Sequence, residues 1–111
     1  MRYPENKVAD YTVVRPAGDI DLAHAPALRR QLLAHLRSKH HLLVDLSAVT
    51  YLDSSGTAVF IEAFHAAEQS GLRFGLVAVS TAALTVLKLS RLDQVLPVHA
   101  SIEARLAADQ T

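Results

Sequence analysis

Leu42-Leu43-Val44-Asp45-Leu46-Ser47-Ala48-Val49-Thr50-Tyr51-Leu52-Asp53-Ser54-Ser55-Gly56 is the stretch from which the architecture of this chain can be worked out. Its first five residues form a short apolar run bounded by paired histidines and by Ser47, the pattern of a central strand covered on both faces. The chain then crosses Thr50-Tyr51-Leu52 and meets Asp53-Ser54-Ser55-Gly56, small polar residues suited to capping a helix. Val59, Phe60, Ala63, Phe64 and Ala67 follow at helical spacing until Ser70-Gly71 ends the pattern. A strand feeding a helix of this length is a crossover unit, and crossovers build parallel sheets.

The flanks repeat the alternation. Tyr11 to Arg15 is β-branched and aromatic and is followed by Pro16 and Gly18, so it reads as a strand ending in a turn. Residues 3–9 add a short edge strand. From Pro26 the spacing of Leu28, Leu32, Leu33 and Leu36, with Arg29, Arg30 and Arg37 as its solvated face, predicts a helix of about 12 residues. Phe74 to Val79 predicts a third interior strand, Thr81 to Ser90 a short helix, Val95 to Val98 a last apolar stretch, and Ser101 to Ala108 a final helix. The expected fold is α/β. It is one domain over residues 1–111, with a core from 8 to 108, in which a mixed, mostly parallel sheet of four or five strands packs against four helices and the N-terminal strands give the antiparallel edge.

Bulk properties narrow the function. Eleven Lys and Arg balance eleven Asp and Glu, so the positive field that non-specific nucleic-acid binding needs is missing and no direct nucleic-acid partner is expected. Cysteine is absent, which suits a reducing compartment and leaves no thiolate ligand or nucleophile. No apolar run approaches a membrane span, and Met1 to Asp10 lacks the apolar segment of a signal peptide, so a cytoplasmic location is expected. The six histidines show no metal-binding spacing: His40 and His41 are adjacent, and His24 and His35 are eleven apart. Neither a Gly-x-Ser-x-Gly elbow nor a glycine-rich phosphate loop is present, so no enzyme, metal or cofactor is expected.

The informative residues are Asp53-Ser54-Ser55-Gly56, at the carboxyl edge of a strand and the start of a helix, where sites in open α/β sheets lie. A helix N-terminus offers unpaired N–H groups and partial positive charge, so a phosphate on either serine finds donors aimed at it. Phosphorylation adds about −1.5 to −2 charge at neutral pH. Gly56, with no Cβ, leaves room beside the hydroxyl for a partner or for the phosphate itself. The plainer reading is that Asp53 or Ser54 only caps the helix, worth about 1 kcal/mol.

Thr12 to Leu22, Ala25-Pro26-Ala27-Leu28, Leu43 to Gly56 and Leu89 to Asp93 together resemble the STAS family, the small domains named for sulfate transporters and anti-sigma factor antagonists. Short stand-alone members that keep the motif at residues 53–56 resemble bacterial anti-sigma factor antagonists. The resemblance implies that Ser55, with Ser54 as the alternative, is phosphorylated by a serine kinase that doubles as the anti-sigma factor, and that a serine phosphatase reverses it. It implies a partner surface of Asp21, Asp53, Ser54, Ser55, Gly56 and Thr57, with Asp21 in a turn over Gly18-Asp19-Ile20-Asp21. The unphosphorylated form would then bind the anti-sigma factor and free a sigma factor, acting as a monomer or weak dimer. Thr57 and Ala58 depart from the family's usual aliphatic residue and glycine, and Asp19 from its commoner Glu.

Two other readings compete. The domain could be a constitutive STAS subunit of a lipid-transport or stress-signalling complex, with Ser55 only a cap. A receiver-type phosphoacceptor would instead use Asp53 at the end of a central strand with Mg²⁺, but it needs an acidic pair after the first strand and a lysine after the last. Asp19 and Asp21 follow a turn and Lys88 falls inside a helical pattern, so that constellation is incomplete.

Overall fold

The computed structural model describes residues 1–111. Its elements run β1 (Glu5–Val8), β2 (Tyr11–Val14), β3 (Ala17–Ile20), α1 (Ala25–Arg37), β4 (His41–Asp45), β5 (Ala48–Leu52), α2 (Ser54–Gln69), β6 (Phe74–Val77), α3 (Thr81–Leu89), β7 (Val98–His99) and α4 (Ile102–Asp109), with one 3₁₀ turn at Leu92–Gln94. Five strands form one sheet in the order β1-β2-β4-β6-β7. β1 pairs antiparallel with β2 and every other pairing in this sheet is parallel. The sequence expectation of a mixed, mostly parallel sheet with four helices and an N-terminal antiparallel edge therefore holds.

Two-sided covering explains why the interior strands read as continuous apolar runs. Val14 of β2, Leu42 and Val44 of β4, and Phe74 and Leu76 of β6 face the main core, where Leu28, Leu32 and Leu36 of α1, Phe60 and Ala63 of α2, and Leu87 of α3 close over them. The opposite pleat, Tyr11, Val13, Leu43 and Val77, meets Ile102 and Leu106 of α4. Period-2 geometry sends alternate residues to the two layers, so both sets must be apolar. α4 is also pinned by Arg105, whose Nη1 donates to the Phe74 carbonyl at 2.8 Å and whose Nε donates to Asp109 at 3.0 Å. A Cβ on Gly75 would stand 2.3 Å from that Nη1, so the glycine leaves the guanidinium its path. The Tyr11 hydroxyl donates to Asp109, and burial, followed by that bond, pushes its pKa up to about 12.

The structure corrects the sequence reading in one region. β3 and β5 form a separate two-stranded parallel sheet, although Gly18-Asp19-Ile20-Asp21 reads as a turn and Thr50-Tyr51-Leu52 as a crossing. Gly18 does have the turn-like φ of +79°, and the register shifts between Gly18 and Asp19, so the turn signal marks a bulge inside a strand. In β5 only Val49 and Leu52 are buried, so no strict alternation announces a strand. Because β3 and β5 are parallel, the helices that follow them, α1 and α2, start at the same end and pack side by side. Arg29 and Glu62 join them, with Nε and Nη2 each donating at 2.7 Å, so Arg29 is not simply a solvated residue. No helix is long and apolar enough to cross a membrane.

Candidate functional site

Ile20 and Leu52 are register partners at the ends of β3 and β5, which sets Asp21 and Asp53 next to one another in the topology, each opening the way to a helix. The Asp53 N–H donates back to the Ile20 carbonyl at 3.4 Å. Asp53 is the N-cap of α2: its backbone is extended and its Oδ1 accepts from the Ser55 N–H at 2.9 Å. Its carbonyl accepts from the Thr57 N–H at 3.1 Å, the first helical bond.

The next four residues divide by facing. Ser54 is exposed and Ser55 is half-buried, and neither hydroxyl is engaged by another side chain or carbonyl of the chain. Gly56 and Thr57 are buried. A Cβ on Gly56 would stand 2.4 Å from Leu52 Cδ1, 2.7 Å from Ile20 Cγ2 and 3.0 Å from the Ile20 carbonyl oxygen. Gly56 thus lets α2 settle on the ends of β3 and β5, which corrects the expectation that its missing Cβ makes room beside the serine hydroxyl. Thr57 Oγ1 donates to the Ser54 carbonyl at 3.1 Å, so this hydroxyl also points into the fold. The outward-facing members of the expected surface are Asp53, Ser54 and Ser55.

Asp21 is arranged differently. Its Oδ1 accepts from the Ala23 and His24 N–H groups, both at 3.1 Å, and lies 2.6 Å from His24 Nδ1. The His24 contact, ahead of the backbone bonds, holds the carboxyl below its ordinary pKa. Close by, the Tyr3 hydroxyl is buried without a partner, and burial, then the Asp21 charge, raises its pKa.

Ser55 opens into a cavity of about 460 Å³ between the N-terminal halves of α1 and α2, lined also by Leu22, Pro26, Arg29, Arg30, Val59 and Glu62. Leu22, 76% exposed, stands at its edge. Sequence reasoning missed Leu22, Arg30 and Glu62 as neighbours of Ser55, because the spacing of α1 against α2 is not written in either helix's own periodicity. No group of three or more His, Asp or Glu side chains converges anywhere in a way that could hold a metal. Asp53 follows β5, a strand outside the five-stranded sheet, and Lys88 lies on α3, so the central-strand placement required of a receiver aspartate is not met.

The STAS domain family profile matches residues 3–104. The chain is 29% identical over 90 residues to the anti-sigma-B factor antagonist of Bacillus subtilis strain 168, covering 81% of this chain and 83% of that one. It superposes on the crystal structure of an anti-sigma factor antagonist from Mycobacterium paratuberculosis with a TM-score of 0.84 at 27% identity, covering 98% and 93% of the two chains. A Thermotoga maritima structure gives a TM-score of 0.90 over 98% and 95% of the chains at 21% identity, a likeness that speaks for the fold alone.

Proposed function

The chain belongs to the STAS domain family, and from that premise we propose that it is an anti-sigma factor antagonist in a partner-switching pathway. In its unmodified form it binds a serine-kinase anti-sigma factor through the surface around Asp21, Leu22, Asp53, Ser54 and Ser55, and the sigma factor is released. The kinase then modifies Ser55: the hydroxyl oxygen forms a bond to the γ-phosphorus of ATP, the bond to ADP breaks, and the hydroxyl proton leaves to a base of the kinase. A dianion at the centre of the docked surface carries a desolvation cost and meets repulsion from Asp53, so the complex separates without refolding. A serine phosphatase resets the switch. The chain supplies the acceptor and the docking surface, needs no catalytic group or cofactor of its own, and works in the cytoplasm.

The observation that carries this reading is the Ser55 hydroxyl: unengaged, at the N-terminus of a 16-residue helix capped by Asp53, and open to a cavity. A phosphate there meets the free amides of the first turn, so the fold accepts the modification that the interface rejects. Ser54 is the alternative acceptor, more exposed but further from the cavity lining.

The test is affinity for a kinase-type anti-sigma partner with native protein, Ser55→Ala and Ser55→Asp, alongside intact mass after incubation with that partner and ATP. One added phosphate that Ser55→Ala does not accept, with binding of Ser55→Asp weakened at least about tenfold, supports the reading. No added phosphate and equal affinity of all three would make Ser55 a cap and the domain a constitutive interaction subunit.

A further inference from the structure

Arg29 and Arg30 line the cavity into which Ser55 opens, yet they stand in different states. Arg29 is committed, its fork closed on both carboxylate oxygens of Glu62 at 2.7 Å, and that contact raises its pKa while lowering that of Glu62. Arg30 is exposed and, unlike its chain neighbour, is held by no carboxylate. On α2, Ser55, Val59 and Glu62 fall at i, i+4 and i+7, one face of the helix. Glu62 therefore sits about 10 Å along the axis from Ser55 at 1.5 Å per residue, and the acidic member of the cavity is remote from the serine. A cation without a carboxylate partner, an apolar floor of Pro26 and Val59, and an unengaged hydroxyl thus share one cavity.

We infer that Arg30 is a phosphate-binding residue, which closes over the cavity once Ser55 carries a phosphate and so removes the groove as well as changing its charge. The inference rests on Ser55 being the phosphoacceptor. A guanidinium presents donors in a planar fork that fits two phosphate oxygens, and charge-assisted bonds of this kind are about twice as strong as neutral ones. Arg29 does not compete on equal terms, because it would first leave a bidentate carboxylate. As Arg30 turns toward Ser55 its aliphatic stem lies across Pro26 and Val59, covering the apolar surface that a docked partner would use. The phosphate is then gripped from two sides, by the α2 amides and by α1, and the two helix starts are joined by an ion pair that the unmodified protein lacks.

The experiment uses the full chain with phosphoserine installed at position 55 during synthesis, so no kinase enters the outcome. The second ionisation of that phosphate, near pH 6 in a free phosphoserine, is followed by ³¹P NMR in native, Arg30→Gln and Arg30→Lys backgrounds. The expected result is a midpoint at least about half a unit lower in the native background than in Arg30→Gln, a threefold or greater shift in the proton equilibrium, with Arg30→Lys between them. Equal midpoints in native and Arg30→Gln would overturn the inference and leave the phosphate on the α2 amides alone. Should Arg30→Gln fold poorly, Arg30→Met, which keeps an aliphatic stem without the charge, takes its place: a midpoint raised by at least about half a unit supports the inference, and a midpoint equal to the native one rejects it. Failure of the partner-switching reading shows separately, as unaltered partner affinity of a phosphoprotein whose midpoint still depends on Arg30.

Discussion

Asp21-Leu22-Ala23-His24 and Asp53-Ser54-Ser55-Gly56 are two solutions to the same local problem. Both follow the register-paired ends of parallel strands, both open on an aspartate, and both lead into a helix that must cross back over the sheet. At the α1 start one carboxylate oxygen, Oδ1, gathers two backbone amides and the His24 ring, and the chain makes a full turn before α1 begins at Ala25. At the α2 start the carboxylate caps one amide, the helix begins at once, and two hydroxyls are left unengaged. The first arrangement ties its aspartate to three local groups through one oxygen, whereas the second leaves two serine hydroxyls unengaged on an exposed edge. Spare polar capacity at a helix N-terminus is what a modification site requires.

The comparison breaks most visibly at Gly56. An alanine there would press on Leu52, Ile20 and the Ile20 carbonyl, at contacts down to 2.4 Å. Overpacking of this kind costs up to about 3 kcal/mol, and alanine's better helix propensity returns about 1. A net loss of about 2 kcal/mol is expected for Gly56→Ala, read as a fall of about 10 °C in Tm. Gly18→Ala, at φ +79° in open space, carries only the strain of a left-handed residue, about 1–2 kcal/mol. Thermal unfolding that finds Gly56→Ala as stable as the native protein would remove the account of how α2 seats on the β3–β5 pair.

A second contrast concerns binding. Ser55 and Ala23 hold the same place, two residues after the aspartate, at the two helix starts. Ser55→Asp is expected to weaken the kinase-type partner at least tenfold, about 1.4 kcal/mol, while Ala23→Asp, outside the cavity lining, costs less than about threefold on the same scale. Equal losses would mean that the whole edge responds to charge and that α2 is not special. Smaller again is the cap itself: Asp53→Ala should cost about 1 kcal/mol in denaturant unfolding and Asp53→Asn a few tenths, because asparagine caps nearly as well. A loss at Asp53→Asn as large as at Asp53→Ala would show that charge, not the accepted Ser55 amide, is what counts there.

How far the sequence alone reaches differs between the same regions. Leu42 to Leu46 and Phe74 to Val77 announce themselves because both of their faces are buried, so the runs are apolar apart from Gly75 and from Asp45, whose carboxylate is paired with Arg15. The cap at Asp53 and the helix after it are legible because capping is local chemistry. β3 and β5 are not, since each is half exposed and their pairing joins residues about thirty apart, a relation no window of local periodicity contains. The inward turn of Gly56 is hidden for the same reason: its neighbours Ile20 and Leu52 come from two strands, one of which reads as a turn. Ser55 and Asp53 could be chosen from the sequence, while the Leu22 and Arg30 that share the cavity could not, because helix-to-helix register is a tertiary fact.

The smallest effect is the most local. Asp21 titrates below the ordinary carboxylate range, first because of His24 and then because of the backbone amides it accepts from. A carboxyl whose folded pKa is lowered contributes stability that is present above its unfolded pKa, near 4, and is lost as pH falls through the lower folded value. Replacing His24 by alanine removes the leading cause and leaves the Ala23 and residue-24 amides in place. The Asp21 midpoint, followed through its side-chain carboxyl ¹³C shift, is therefore expected to rise toward the ordinary range without reaching it. Acid unfolding of the variant should begin at slightly higher pH, with no difference near neutrality from this group. A midpoint unchanged in His24→Ala would assign the shift to the amides alone, and the α1 start would then be capped as the α2 start is, by backbone donors, with His24 merely lying against it.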